Sequence, residues 1–175
     1  RVKYGAGLAF HPKQESSFVW LLKGSNTNDF MSYWVEGDTW IFRAPAPAGP
    51  RRKRFKAGSC VTTDNNGHIF ALKSRYNEFY RYDVATDLWD TLAPMPFDMG
   101  GHRRKVKRGA ALCYAGGDSI WAFKGGNTWQ FFHYSMDRDT WIEKEAIGLG
   151  QSLKRVKGGG SLTWCPEQQR VYALK

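Results

Sequence analysis

Gly58-Ser59-Cys60-Val61-Thr62-Thr63, then Asp64-Asn65-Asn66-Gly67, then His68-Ile69-Phe70-Ala71-Leu72-Lys73 is the stretch on which the fold turns. Two short β-rich runs flank a segment whose Asn and Gly tolerate positive φ, which is hairpin chemistry. Downstream, Ser74 to Asn77 reads as a second turn and Glu78-Phe79-Tyr80-Arg81-Tyr82-Asp83 as a third strand. Val84 to Asp87 turns the chain again, and Leu88-Trp89-Asp90-Thr91-Leu92 is a fourth strand. The equivalents of the second run elsewhere, Phe18-Val19-Trp20-Leu21-Leu22, Ile120-Trp121-Ala122-Phe123 and Val171-Tyr172-Ala173-Leu174, are near-continuously apolar. Strands covered on both faces have that pattern. Runs so short, aromatic and bounded by Gly and Asn do not suit a helix.

The same unit recurs on either side. Basic, apolar, Lys, any residue, Gly opens it at Arg1-Val2-Lys3-Tyr4-Gly5, Arg54-Phe55-Lys56-Ala57-Gly58, Lys105-Val106-Lys107-Arg108-Gly109 and Arg155-Val156-Lys157-Gly158-Gly159. Those glycines lie 53, 51 and 50 residues apart. The second run of each copy ends in Lys23, Lys73, Lys124 or Lys175, and a Tyr precedes a Trp by seven positions at Tyr33/Trp40, Tyr82/Trp89 and Tyr134/Trp141. A period of this length means one supersecondary unit stacked on copies of itself. The copies are expected at 1–50, 51–101 and 102–151, with the first two strands of a fourth at 152–175.

Asn77-Glu78-Phe79-Tyr80-Arg81-Tyr82-Asp83 with Leu88-Trp89 and Pro94-Met95-Pro96 resembles the kelch motif, as does Phe123-Lys124-Gly125-Gly126 with Tyr134 and Trp141. The resemblance spans essentially the whole chain and departs at the diglycine, where the first copy has Gly24-Ser25 and the second Ser74-Arg75. It implies an all-β fold: a β-propeller of four-stranded antiparallel blades, each with its first strand lining a central channel. The Tyr and Trp positions are then packing residues between blades. Closed propellers have about four to eight blades. The expectation is therefore a segment of a larger propeller whose partners are further blades from the same chain or another copy. Closure with a second copy, or a stack capped by a partner protein, are the alternatives.

With 26 Lys and Arg against 16 Asp and Glu, the chain carries a formal charge of +10. Antiparallel strand order places the lead-in to the first strand and the end of the second strand on one face. That face would hold Arg1, Lys3, Arg54, Lys56, Lys105, Lys107, Arg155 and Lys157, the strand-closing Lys23, Lys73, Lys124 and Lys175, and the linker cations Arg51, Arg52, Lys53, Arg103, Arg104 and Lys154. Acids fall beside the opposite turns: Glu15, Asp64, Asp118 and Glu167, then Glu36, Asp38, Asp83, Asp87, Asp137 and Asp139. A ring of cations in a concave mouth attracts anions, and Lys and Arg match phosphate, sulfate or carboxylate. Repetition in every copy also fits a second role, in which each cation braces a neighbouring turn.

The functional expectation is a non-catalytic scaffold presenting this basic mouth to a protein or an acidic polymer. An alternative is part of a propeller enzyme, an oxidase or carbohydrate-active protein, with its site in other blades. The copper-radical type needs a Tyr/His/Cys set, for which only His133-Tyr134 is suggestive, and no sialidase Asp-box occurs. Nucleic-acid binding is permitted by charge but no recognition motif supports it. No catalytic, cofactor or metal residues are assigned: His11, His68, His102 and His133 are scattered and no CxxC pair exists. Cys60, Cys113 and Cys165 occupy unrelated positions and read as free thiols, a pattern that favours a reducing compartment. No apolar run approaches the roughly 18 residues of a membrane-spanning helix.

Overall fold

The computed structural model describes residues 2–11, 16–97, 104–148 and 154–175, and among these there is no helix. β1 (Gly7–His11), β2 (Phe18–Leu22), β3 (Phe30–Trp34) and β4 (Thr39–Phe42) form the first sheet. β5 (Cys60–Thr63), β6 (His68–Leu72), β7 (Phe79–Asp83) and β8 (Leu88–Leu92) form the second. β9 (Ala111–Tyr114), β10 (Ser119–Phe123), β11 (Phe131–Ser135) and β12 (Thr140–Lys144) form the third, and β13 (Ser161–Cys165) with β14 (Arg170–Leu174) a two-stranded fourth. Within each sheet every strand pairs antiparallel with the next in sequence. No helix among the described residues is long and apolar enough to cross a membrane.

The sheets stack in chain order. β1 lies beside β5, β5 beside β9 and β9 beside β13, so first strands neighbour one another and last strands lie at the far edge. Each gap holds its own core: Trp20, Leu22, Phe30 and Tyr82 between the first and second sheets, Phe79, Val106, Tyr134 and Trp141 between the second and third, Phe123, Val156 and Leu162 between the third and fourth. Burying each of these large side chains is worth about 1.5–3 kcal/mol. β6, covered on both sides, has Ile69, Phe70, Ala71 and Leu72 all buried, whereas β14 leaves Tyr172 48% and Leu174 68% exposed.

The first strand of the second copy is shorter than the sequence suggests. Gly58 and Ser59 lie in a turn before β5, closed by the Ser59 N–H donating to the Lys56 carbonyl at 3.0 Å, with Gly58 at φ +93°. Gly58 must be glycine for a second reason: a Cβ there would overlap the Lys107 backbone of the next lead-in. Gly5 meets Lys56 and Gly109 meets Lys157 in the same way, while a Cβ at Gly159 has nothing within 4 Å among the described residues. The repeated glycine is thus the seam where consecutive copies touch backbone to backbone.

The Tyr–Trp spacing becomes a clamp. Tyr82 sits opposite Trp89 and Tyr134 opposite Trp141 across adjacent strands. The Tyr82 hydroxyl donates to Asp87 at 2.5 Å, and Asp87 Oδ1 also accepts the Ala44 N–H of the preceding sheet at 3.0 Å. The Trp89 Nε1–H donates to the Ala44 carbonyl at 2.9 Å. Tyr134, Asp139 and Trp141 repeat this on Ala93 at 2.6, 2.8 and 2.8 Å. The Tyr82 hydroxyl, followed by the Ala44 amide, holds the Asp87 carboxyl below its ordinary range. In the first sheet Tyr33 bonds Asp38, and Trp40 remains 47% exposed.

Candidate functional site

The lead-in segments run extended, so alternate residues face opposite ways. Phe55, Val106 and Val156 plug the gaps between sheets at 0, 0 and 1% exposure, and the cations on either side of them turn outward. Each lead-in is tied to the turn that follows the second strand of the preceding sheet. The Phe55 N–H donates to the Thr27 carbonyl at 3.2 Å and the Val156 N–H to the Thr128 carbonyl at 2.8 Å. The middle junction differs because its turn is one residue shorter between Lys73 and Phe79. There the Asn77 side chain substitutes for the missing carbonyl: Oδ1 accepts the Val106 N–H at 2.8 Å while Nδ2 donates to the Met95 carbonyl at 3.0 Å.

The reciprocal bond is kept at all three junctions. Asn26, Arg75 and Asn127 donate their N–H groups to the Phe55, Val106 and Val156 carbonyls at 2.9, 2.7 and 2.9 Å. All three residues are left-handed, at φ +63°, +69° and +66°. Asn adopts that region readily; Arg does so rarely.

Two of the strand-closing lysines, Lys73 and Lys124, are enclosed, while Lys23 is half-buried and Lys175 exposed. Lys73 is 0% exposed, and its Nζ donates to the Pro47 and Ala48 carbonyls at 3.1 and 2.7 Å and pairs with Glu78 at 3.0 Å. Burial lowers its pKa, with Glu78 acting in the opposite sense. Lys124, also 0% exposed, donates to the Phe97 carbonyl at 2.6 Å, and Lys175 to the Gly148 and Lys154 carbonyls at 3.1 and 2.9 Å. Each therefore holds the linker arriving from the preceding sheet. Lys23 pairs with Asp29 instead.

Beside this framework a cleft of about 870 Å³ opens where the inner turns meet, lined by Arg75, Arg104, Lys105, Lys107, Arg108 and Lys157 and, among the described residues, by no carboxylate. Tyr76 is its aromatic wall, with Ala57, Gly126 and Gly158 contributing little side chain. Arg108 lies over the Tyr4 ring at 4.9 Å, a contact between the first and third lead-in turns. Among the described residues none of the six cations pairs with an acid. The acids near the opposite turns are taken up by backbone amides: Glu36 accepts the Ser17 N–H at 2.8 Å, Asp64 the Asn66 N–H at 2.8 Å and Asp118 the Asp137 N–H at 2.5 Å.

Of the cations singled out in the sequence, the cleft gathers Arg104, Lys105, Lys107 and Lys157. Arg51, Arg52, Lys53, Arg54, Lys3 and Arg155 are exposed but do not line it; Arg51 lies over Tyr76 at 5.9 Å and Arg155 over Trp129 at 4.1 Å. Lys56 is half-buried. Arg1 and Arg103 lie outside the described residues. Sequence reasoning missed Arg75 and Arg108. The signal for Arg108 was its place in the variable position before the repeated glycine, and for Arg75 its place where the diglycine pattern breaks. All three cysteines are free, and burial pushes the Cys113 thiol up to about 11. No protein-family model matches the chain, and comparison with curated proteins gives no significant match.

Proposed function

We propose that this chain is a run of kelch-type β-propeller blades serving as a non-catalytic binding scaffold, with the basic cleft as its contact site for an anionic partner. One observation carries the reading: six cations from three successive copies face one cavity of about 870 Å³ that no acid among the described residues lines. Like charges held together without counter-charges repel one another, so an anion entering the cleft removes a cost that folding leaves in place. The blade reading is supported by the succession of four-stranded sheets with first strands side by side, and by the Arg108–Tyr4 contact, which draws turns two copies apart toward a common centre. Function in such a frame sits on the irregular turns, because the rigid sheets position them.

The test is retention on immobilised heparin as a general polyanion. Binding is expected to weaken steeply with salt, and Lys107→Ala with Arg108→Ala is expected to elute at markedly lower salt while unfolding at an unchanged denaturant midpoint. Arg51→Ala with Arg52→Ala, outside the cleft, serves as the control. Equal elution of the cleft variant and the parent protein would discard the proposal.

A further inference from the structure

Resting on that anion-binding reading, we infer that the cleft takes a compact, phosphate-dense anion and that Arg75 is kept in its turn for that ligand rather than for the fold. Arg75 stands at φ +69°, where the equivalent residues of the other two junctions are Asn26 and Asn127. Its contribution to the junction is a backbone N–H bond to Val106, which the asparagines make equally well to Phe55 and Val156. Its side chain is exposed and is one of the cleft cations. Local energetics therefore favour Asn or Gly at this position, and the gain from Arg lies in what its guanidinium reaches.

The lining narrows the ligand. Protein partners anchor themselves by seating aromatic or aliphatic side chains in apolar pockets, and this lining offers one aromatic residue, Tyr76, and one alanine, Ala57. The volume falls within the range of roughly 300–1,000 Å³ typical of small-molecule sites. An extended nucleic acid needs a groove and a series of stacking rings instead. A phosphate group carries about −1.5 to −2 charge on three acceptor oxygens, so three or four phosphates balance six cations inside a small envelope. Carboxylate chains carry one charge per group and need more length for the same balance. The guanidinium groups of Arg75, Arg104 and Arg108 supply planar forks for phosphate oxygens, and the lysines supply movable point charges.

Calorimetric titration of the full chain at one ionic strength with inorganic tripolyphosphate, hexaglutamate and a heparin hexasaccharide tests this. Tripolyphosphate is expected to bind at least about tenfold more tightly than the other two. Arg75→Asn is expected to raise the melting temperature and to weaken tripolyphosphate binding by about tenfold or more. Hexaglutamate or heparin binding as tightly as tripolyphosphate overturns the phosphate assignment and leaves the anion-binding reading standing. Failure of all three ligands removes both. Unchanged affinity in Arg75→Asn, or a lowered melting temperature, overturns the role given to Arg75.

Discussion

Lys73 and Arg108 both belong to a chain with +10 net charge, both lie on the same face of the stack, and they do opposite things. Lys73 recurs as Lys124 at the same place in the next copy, and both are fully enclosed, spending their protons on linker carbonyls. Arg108 replaces Tyr4, Ala57 and Gly158 at its place in the other copies and lines an open cleft. The difference separates two kinds of charge in a repeat protein. Some recurring cations, Lys73 and Lys124 among them, satisfy a need of the junction, here the carbonyls of an arriving linker, whereas the recurring Lys107 and Lys157 line the cleft beside Arg108. A cation present once answers to something outside the repeat. Arg75, alone among two asparagines, belongs with Arg108.

That contrast breaks if the enclosed groups prove dispensable. The largest effect is expected from alkali. Tyr80, Tyr82 and Tyr134 are buried, and burial, followed by bonds to Glu78, Asp87 and Asp139, pushes their hydroxyls far above the ordinary value of 10.0. The unfolded chain therefore loses these protons first. The stabilisation is complete below pH 10 and declines as pH rises beyond it, by about 1.4 kcal/mol per pH unit for each tyrosine. Lys73, whose pKa is lowered, works the other way but is a single group. Denaturant midpoints measured from pH 8 to 12 should fall steeply above 10; a flat profile means these hydroxyls are not held.

Lys73→Met comes next, at about 3–5 kcal/mol by chemical denaturation, because it strands Glu78 and two carbonyls in an enclosed site. Loss below about 1 kcal/mol would place Lys73 with the dispensable cations. Gly58→Ala should cost about 2 kcal/mol or more through collision with the Lys107 backbone, and Gly159→Ala about 1 kcal/mol from its positive φ alone. Equal losses at the two positions would show that the seam is not a backbone contact. Trp141→Phe, which keeps a ring but loses the bond to Ala93, should cost about 1 kcal/mol. Trp40→Phe, at a half-exposed position, should change thermal stability by less than about 0.5 kcal/mol. Equal effects of the two tryptophans would mean that the clamp onto the preceding sheet adds nothing.

Most of the strand pattern was legible because its causes are local. The apolar runs, the Asn and Gly turns and the Tyr–Trp spacing placed β5 to β8 within two residues of their observed limits. The start of β5 was misplaced because the reason for it is not local: Gly58 is withheld from the strand by a turn that brings it against a backbone about 50 residues away. Strand order led to an expectation of cations gathered at one face, and the cleft was only half legible. Lys105, Lys107 and Lys157 carry the repeat signal and were found; Arg75 and Arg108 depart from it and were not. Asn77 likewise reads as an ordinary turn residue until the shortened turn leaves the Val106 amide in need of an acceptor.

Alternation, turn chemistry and the period of about 50 residues lie in the order of the side chains, so the sequence by itself determined that four-stranded units form and follow one another. It could not rank Lys73 against Lys107, two lysines recurring in every copy. Only the stacked sheets separate them, because the Pro47 and Ala48 carbonyls that enclose one, and the open cavity that receives the other, are assembled from residues tens of positions away.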